Sequence, residues 1–425
     1  MIVISHPTGN ANARNAALAL CEAGLLTRFV TTISVPPGWA NARSIPRLFR
    51  RWGRRRVFPE VLHGRTTTFP VRECLRLSLA PLRISALTGR VGAPFSIDAV
   101  YRSLDRKTAG LLRQYPYARG VYCYEDGALE TFRRAKSLGL KTIYELPTPY
   151  WRCKEEICRT EAMLQPEWAG TLRSDKEPPE KLARKDEELR LADLVLVPSE
   201  FVAQSLQQAP AVPGRVVVLP YGSPVAANQS AADSISQANT ERKPLRIIYV
   251  GNLGQAKGMS YLIEAFEQLD RKVTLTLIGR LPLGSPTAAA EFVRRHRYLT
   301  SLPHDEVLQE MREHDVLVLP TLYEGMALVV LEAMGQGLTV ITTPNSGASS
   351  IVKDGENGFI VPIRSPDAIA ERLLFLGSDR GALARMKQAA WRKARDLTWD
   401  HYRSELSVQM RAFMGTAQPD QAKVD

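Results

Sequence analysis

Cysteine is scarce in this chain: five residues among 425, an odd number with no Cys-x-x-Cys pair. That excludes a disulfide framework and the common zinc arrangements. Cys153 and Cys158 stand too far apart for a zinc knuckle and have no histidine beside them. All five are expected to be reduced cytosolic thiols. No apolar run approaches the roughly 20 residues needed to cross a bilayer, so any membrane contact is expected to be peripheral. The chain opens directly on a strand pattern, Ile2–Ser5, and no signal peptide is expected. A Gly-x-Gly-x-x-Gly fingerprint is missing from the loop that follows, and no Asp-x-Asp pair sits in a loop suited to a metal. Acid is in deficit, with 44 Asp and Glu against 56 Lys and Arg, a net charge of +12. That balance favours anionic partners: nucleotides, phosphates, acidic lipid headgroups or nucleic acid. A nucleic-acid recognition module is also missing, so nucleic acid is not expected as a partner.

What is present is length for two domains of about two hundred residues each. Ile2–Ser5, the polar loop His6–Arg14, a helix over Asn15–Ala23 and a strand over Arg28–Ile33 give a strand–loop–helix–strand opening. In that loop Gly9, Asn10 and Asn12 are placed to approach a phosphate or an acceptor hydroxyl, or else form a turn and helix cap. Gly120–Tyr124 and Lys141–Glu145 read as buried strands around a helix, Ala128–Leu138. Glu125-Asp126-Gly127 is an acidic loop or an ordinary helix N-terminus. Val225–Arg242, rich in Ala, Ser, Gln and Asn, reads as a flexible linker. The expected division is a first domain over 1–222, a linker over 223–244 and a second domain over 245–396. A helix over 397–416 is expected to cross back and complete the first domain.

The chain is organised around Asp315–Pro362. An apolar run, Val316–Leu319, is followed by Pro320, the loop Thr321–Ala327, a helical pattern, Leu328–Gly335, and a β-branched run, Thr339–Thr343. This is a βαβ unit, whose strands should be parallel with a right-handed crossover. Its first loop lies at the carboxyl end of the sheet, where open α/β folds bind ligands. Gly325, Met326, Ala327 and Leu328 begin the helix, so their N–H groups and the helix dipole suit a phosphate or a hydroxyl-rich ligand. Glu324 beside them can accept from sugar hydroxyls. Glu332 lies roughly 12 Å further along the helix and suits the far end of an elongated ligand such as a sugar nucleotide. A carboxylate inside an apolar helix is expensive unless it has such a partner. Earlier, strand Leu245–Val250 leads into Gly251-Asn-Leu-Gly-Gln-Ala-Lys-Gly258, a glycine-rich turn that makes Lys257 a diphosphate clamp candidate.

Glu324-Gly-Met-Ala-Leu-Val-Val-Leu-Glu332, with its flanks Leu319–Gly325, Ala333–Gly337 and Asp354–Pro362, resembles the Glu-x7-Glu motif of retaining glycosyltransferases of family 4, the glycosyl transferases group 1. The similarity covers roughly Pro220 to Trp399. It implies a GT-B fold, α/β with two Rossmann-like parallel-sheet domains facing a cleft. It also implies transfer of a sugar from a UDP- or GDP-linked donor with retained configuration, to a glycan or lipid-linked glycan acceptor, in cell-surface polysaccharide or glycolipid synthesis. Neither metal nor other cofactor is implied. The resemblance casts Lys257 and Glu324 in catalytic roles, Lys257 on the leaving diphosphate and Glu324 on the donor sugar, with Glu332 on the ribose. It places the loops at Gly279-Arg280 and at Leu302, before His304, against the nucleobase. His304 itself is expected to be a surface or capping residue. Gly9, Asn252, Gly325, Met326, Ala327 and Leu328 complete the expected donor site. Asn252 stands where the family has an arginine, keeping a donor and losing a charge. Many relatives carry a histidine near the loop that here reads Glu145-Leu-Pro147, so no role is carried over there. The rival readings are a non-catalytic GT-B subunit or scaffold, which Asn252 and Ala327 favour and Lys257, Glu324 and Glu332 oppose, and a basic peripheral membrane protein.

That last reading rests on residues 35–60, where Arg43, Arg47, Arg50, Arg51, Arg54, Arg55 and Arg56 alternate with Ile45, Leu48, Phe49, Trp52, Val57 and Phe58. Such a segment suits an anionic membrane surface, nucleic-acid phosphates or simple solvation. The leucines at helical spacing in 72–100 are expected to extend the same surface. The expected location is cytoplasmic, with peripheral contact to the inner membrane face through 43–58.

Overall fold

The computed structural model describes residues 1–35, 38, 53, 56–80, 85–89, 92–172, 177–211, 214–223, 244–269 and 273–415. Most of the arginine-rich segment, from Arg43 to Arg55, and the linker Val225–Arg242 lie outside them. Among the described residues two sheets form, of seven and six strands. The first runs β3 (Thr66–Thr68), β2 (Leu26–Thr31), β1 (Ile2–Ser5), β4 (Gly120–Tyr124), β5 (Lys141–Glu145), β6 (Leu194–Val197), β7 (Val216–Val218). The second runs β10 (Arg297–Leu299), β9 (Val273–Ile278), β8 (Leu245–Val250), β11 (Val316–Leu319), β12 (Thr339–Thr342), β13 (Gly358–Ile360). Each pair of neighbouring strands is parallel. Helical crossovers cover both faces of such sheets, which is why β1, β4, β6, β11 and β12 are buried end to end.

Strand order reverses between β1 and β4 in the first sheet and between β8 and β11 in the second. At such a point the connections after the two central strands leave to opposite faces and open a crevice at the carboxyl edge. In the second sheet the two connections are the Gly251–Gly258 turn and the Pro320–Ala327 loop. Topology therefore brings Lys257 and Glu324 to one place.

Local boundaries follow from caps and pairing. The first helix is Ala11–Glu22, four residues earlier than its apolar pattern suggests, because Asn10 Oδ1 accepts from Ala13 N at 2.9 Å and starts it. β2 covers Leu26–Thr31 rather than Arg28–Ile33, since it pairs with β1 from Ile2↔Leu26 to Ser5↔Val30. The helix after the Leu302 loop runs His304–Arg312.

The last helix, Trp399–Met414, lies on the first helix of the chain. Arg403 meets Glu22 at 3.0 Å, and Arg411 donates to the Ala23 carbonyl at 2.6 Å. The chain thus crosses between domains twice, at Ser223 and at Thr398, and the two passages form a parallel bridge.

Candidate functional site

The Gly251–Gly258 turn reaches the cleft because two glycines, Gly258 and Gly279, let backbones meet. Gly258 has φ +71, and a Cβ there would collide with the Pro320 carbonyl. Gly279, at φ +146, lies against the Gly251 carbonyl in the same way. The Gln255–Lys257 3-10 turn is then stitched to the opposite loop, with the Ala256 carbonyl accepting from Leu322 N and Thr321 Oγ1, each at 3.0 Å. Here Lys257 Nζ pairs with Glu324 Oε1.

Glu324 is fixed through its backbone, its N–H donating to the Asn345 carbonyl at 2.8 Å. Ala327 N–H donates to Ser346 at 2.9 Å, so Ala327 does not offer the free donor expected of it. Leu328 and Val329 open the helix Leu328–Gly335, and their N–H groups have no helical carbonyl behind them. Met326 is buried between domains, its Sδ accepting from Tyr221 N at 3.1 Å. Gly325 backs onto the first domain. Its carbonyl accepts from Ser199 Oγ at 2.6 Å, and a Cβ would strike the Pro147 carbonyl. Pro147 and Thr148 thus stand where the sequence carries no family residue. Glu145 is buried and accepts from the Tyr122 and Tyr221 hydroxyls, and burial raises its pKa.

One helix further on, His304 Nε2 lies 2.8 Å from Glu332 Oε1. His304 begins its helix and is largely exposed, as the sequence suggests, and its contact with Glu332 joins two helices that sequence spacing does not connect. Arg280 and Asn252 are exposed at the mouth of the crevice, Leu302 is half-buried. Two carboxylates, Glu324 paired with Lys257 and Glu332 in contact with the His304 ring, therefore line the second domain's edge.

The first-domain wall is built differently. Gly9, at φ +53, packs on the Phe58 ring, and its N–H donates to His6 Nδ1 at 2.9 Å. Gly9 is thus braced by His6 rather than presenting its N–H to the cleft. Burial, and then the charge of Arg56, lowers the His6 pKa to about 3. His6 is neutral at physiological pH and serves as an acceptor. Asn10 is a helix cap. Glu125 and Asp126 belong to an ion cluster with the helix Pro179–Arg190. Lys181 reaches Asp126 at 3.0 Å, and Lys185 reaches Glu125 at 3.4 Å and Glu177 at 2.7 Å. Burial pulls the Glu177 pKa up, but Lys185 and Lys181 hold it down at about 2. The helix N-terminus after this loop is capped by Glu188, which accepts from Ala128 N at 3.1 Å.

Arg56 corrects the expectation for its segment. It is buried, donates to the Pro7 carbonyl at 2.9 Å and pairs with Glu73 at 2.5 Å. Phe58 is buried as well. Neither faces a membrane. Among the described residues no group of three or more His, Cys, Asp or Glu is placed to hold a metal ion.

Residues 231–393 match the family Glycosyl transferases group 1. The chain is similar to D-inositol 3-phosphate glycosyltransferase of Corynebacterium efficiens, 28% identical over 262 residues, 56% of this chain and 61% of that protein. It thus spans about three-fifths of the length of that curated relative. Sucrose-phosphate synthase from Thermosynechococcus elongatus superposes with a TM-score of 0.64 at 16% identity, over 97% of this chain and 99% of that one. Anabaena HepE, solved in complex with UDP, superposes with a TM-score of 0.62 at 15% identity, over 97% and 99%. Such identities show a shared fold alone, the GT-B fold. The chain therefore carries a Glycosyl transferases group 1 domain within a GT-B architecture of two parallel-sheet domains.

Proposed function

We propose that this protein is a retaining glycosyltransferase of family 4 that takes a sugar from a UDP- or GDP-linked donor. The observation that carries this reading is the meeting of Lys257 and Glu324 at the switch point of the second sheet, beside the first turn of Leu328–Gly335. A donor diphosphate placed there replaces Glu324 as the partner of Lys257, and Glu324 turns to the sugar hydroxyls. Lys257 and the helix N-terminus stabilise charge on the leaving diphosphate. Glu332 takes the ribose hydroxyls, exchanging its bond with His304. Asn252 adds a donor, and the Gly279-Arg280 and Leu302 loops border the nucleobase. The bond from the anomeric carbon to the diphosphate oxygen breaks with its electron pair going to the diphosphate. The acceptor oxygen bonds on the same face and passes its proton to the departing phosphate. No metal has a role in this scheme.

The acceptor is proposed to be a glycan or lipid-linked glycan approaching over the first domain, past Thr148 and Glu125. The D-inositol 3-phosphate glycosyltransferase likeness and the HepE complex with UDP support a sugar-nucleotide donor. The experiment is a turnover screen of UDP- and GDP-sugars, with and without EDTA. One donor should be consumed at equal rates in both conditions. Glu324→Ala should then lower kcat by at least about tenfold while nucleotide affinity stays within about threefold, because sugar contacts matter most in the transition state. Unchanged kcat removes Glu324 from the site, and activity lost in EDTA and restored by Mg2+ contradicts the metal-free scheme.

A further inference from the structure

Glu161 lies on the first-domain helix Trp151–Leu164, yet the three groups that hydrogen-bond its carboxylate among the described residues all belong to the second domain. The residue is fully buried. Gln255 Nε2 donates to Oε1 at 2.6 Å and the Tyr261 hydroxyl to the same oxygen at 2.8 Å. Arg364 Nε donates to Oε2 at 2.6 Å. Arg364 holds φ +62, a region a non-glycine residue seldom occupies unless its surroundings fix it. A buried carboxylate stripped of such partners is strongly unfavourable, so the contact holds the domains together.

The important partner is Gln255. It is the first residue of the Gln255–Lys257 turn, and its own N–H donates to Thr171 Oγ1 of the first domain at 3.0 Å. Its Oε1 accepts from Ser260 N at 3.1 Å, which ties it across the turn to the next helix. On the other side the same turn is held by Thr321 and Leu322, next to Glu324. Lys257 is thus aimed from two sides, one of them supplied by the other domain.

We propose that Glu161 is a positioning residue for Lys257. With the first domain docked, Glu161 fixes Gln255, and Gln255 fixes the turn that points the Lys257 ammonium at the donor diphosphate. This rests on the donor-site reading above. It couples the arrival of the acceptor-bearing domain to completion of the charge-stabilising site, so a donor held in an undocked molecule meets a misaligned lysine. A misplacement of about 1 Å is enough to cost on the order of 100-fold in rate.

The test joins hydrogen exchange with kinetics. The amides of Lys257 and Gly258 donate within the turn, to Gly254 and Gln255 carbonyls. In Glu161→Ala they should exchange at least about tenfold faster while the amides of β8 keep the parental rate. On the donor identified for the parent, kcat should fall at least about tenfold with donor KM within about threefold. Glu161→Gln, which retains one oxygen acceptor, should recover part of both. If Glu161→Ala fails to fold, Tyr261→Phe removes a single bond and should give smaller changes of the same sign. A purely structural role would lower the unfolding temperature and leave kcat per folded molecule unchanged. Parental exchange at the turn overturns the proposal without reference to any donor, as does faster exchange with parental kcat. A parent inactive on every UDP- and GDP-sugar overturns the donor reading instead, and the exchange rates alone then decide whether Glu161 holds the turn.

Discussion

Lys257 and Glu324 are legible in the sequence because each sits in a short loop whose ends are fixed by an unambiguous apolar strand. Glu161 is not, since its partners lie 94, 100 and 203 residues away. One local signal exists: Glu161 falls four residues after Ile157 and three after Cys158, a carboxylate on the apolar side of its helix. Asp315 shows the same kind of hidden partnership. It directly precedes β11 and pairs with Arg246 at 3.0 Å and with the buried Lys387 at 3.1 Å, joining β8 and the helix Arg380–Arg395 beneath the site. Burial pulls its pKa up, but the Arg246 hydrogen bonds and the Lys387 charge outweigh burial and hold it below the usual value. A depressed carboxyl contributes its stability above the unfolded value of about 3.9 and loses it as pH falls through the folded one. Asp315→Asn should therefore cost about 3–5 kcal/mol near pH 7, by leaving Lys387 buried without its counter-charge. Denaturant titrations should show the gap between parent and variant closing below about pH 4. A gap that is constant from pH 7 to 3 would mean that the charge is not what Asp315 contributes.

Elements divide by length. Long strands such as β8 and β9 coincide with their apolar runs, whereas β3, β7, β10 and β13 have three residues each and no pattern long enough to read. The helix Val71–Leu79 carries the leucines at helical spacing expected to extend the arginine-rich surface, and the residue it buries is Glu73, the partner of Arg56 and Arg76. A buried guanidinium on the first domain takes its inward face, leaving Val71 at 72% and Leu75 at 43% exposure. Those exposed apolar residues support the proposal of a membrane-facing surface, to which the arginines from Arg43 to Arg55 would add about 1 kcal/mol each before screening. Arg56 belongs to the fold, so the test leaves it alone. The parent should float with anionic vesicles, less as salt rises, and changing Arg50, Arg51, Arg54 and Arg55 to serine should abolish flotation. A parent that stays in solution with anionic vesicles at low salt removes the membrane from the account and favours a soluble acceptor.

At the scale of the whole molecule, the parallel order of both sheets follows from strand–helix alternation, and the position of the crevice follows from the order reversal. The contact between domains does not follow from either. It is made by single residues, Glu161, Ser199 and Met326 among them, whose meaning appears only when two distant surfaces meet. The central claim is that the second domain's edge is a nucleotide-diphosphate site with Glu332 at its ribose end. Calorimetric titration of UDP and of GDP into the parent and into Glu332→Ala tests it most directly. The account predicts that one nucleotide binds the parent, and that the variant loses about 1.5–3 kcal/mol, roughly 10- to 150-fold in affinity. Equal affinity in parent and variant, or binding of neither nucleotide, would contradict it.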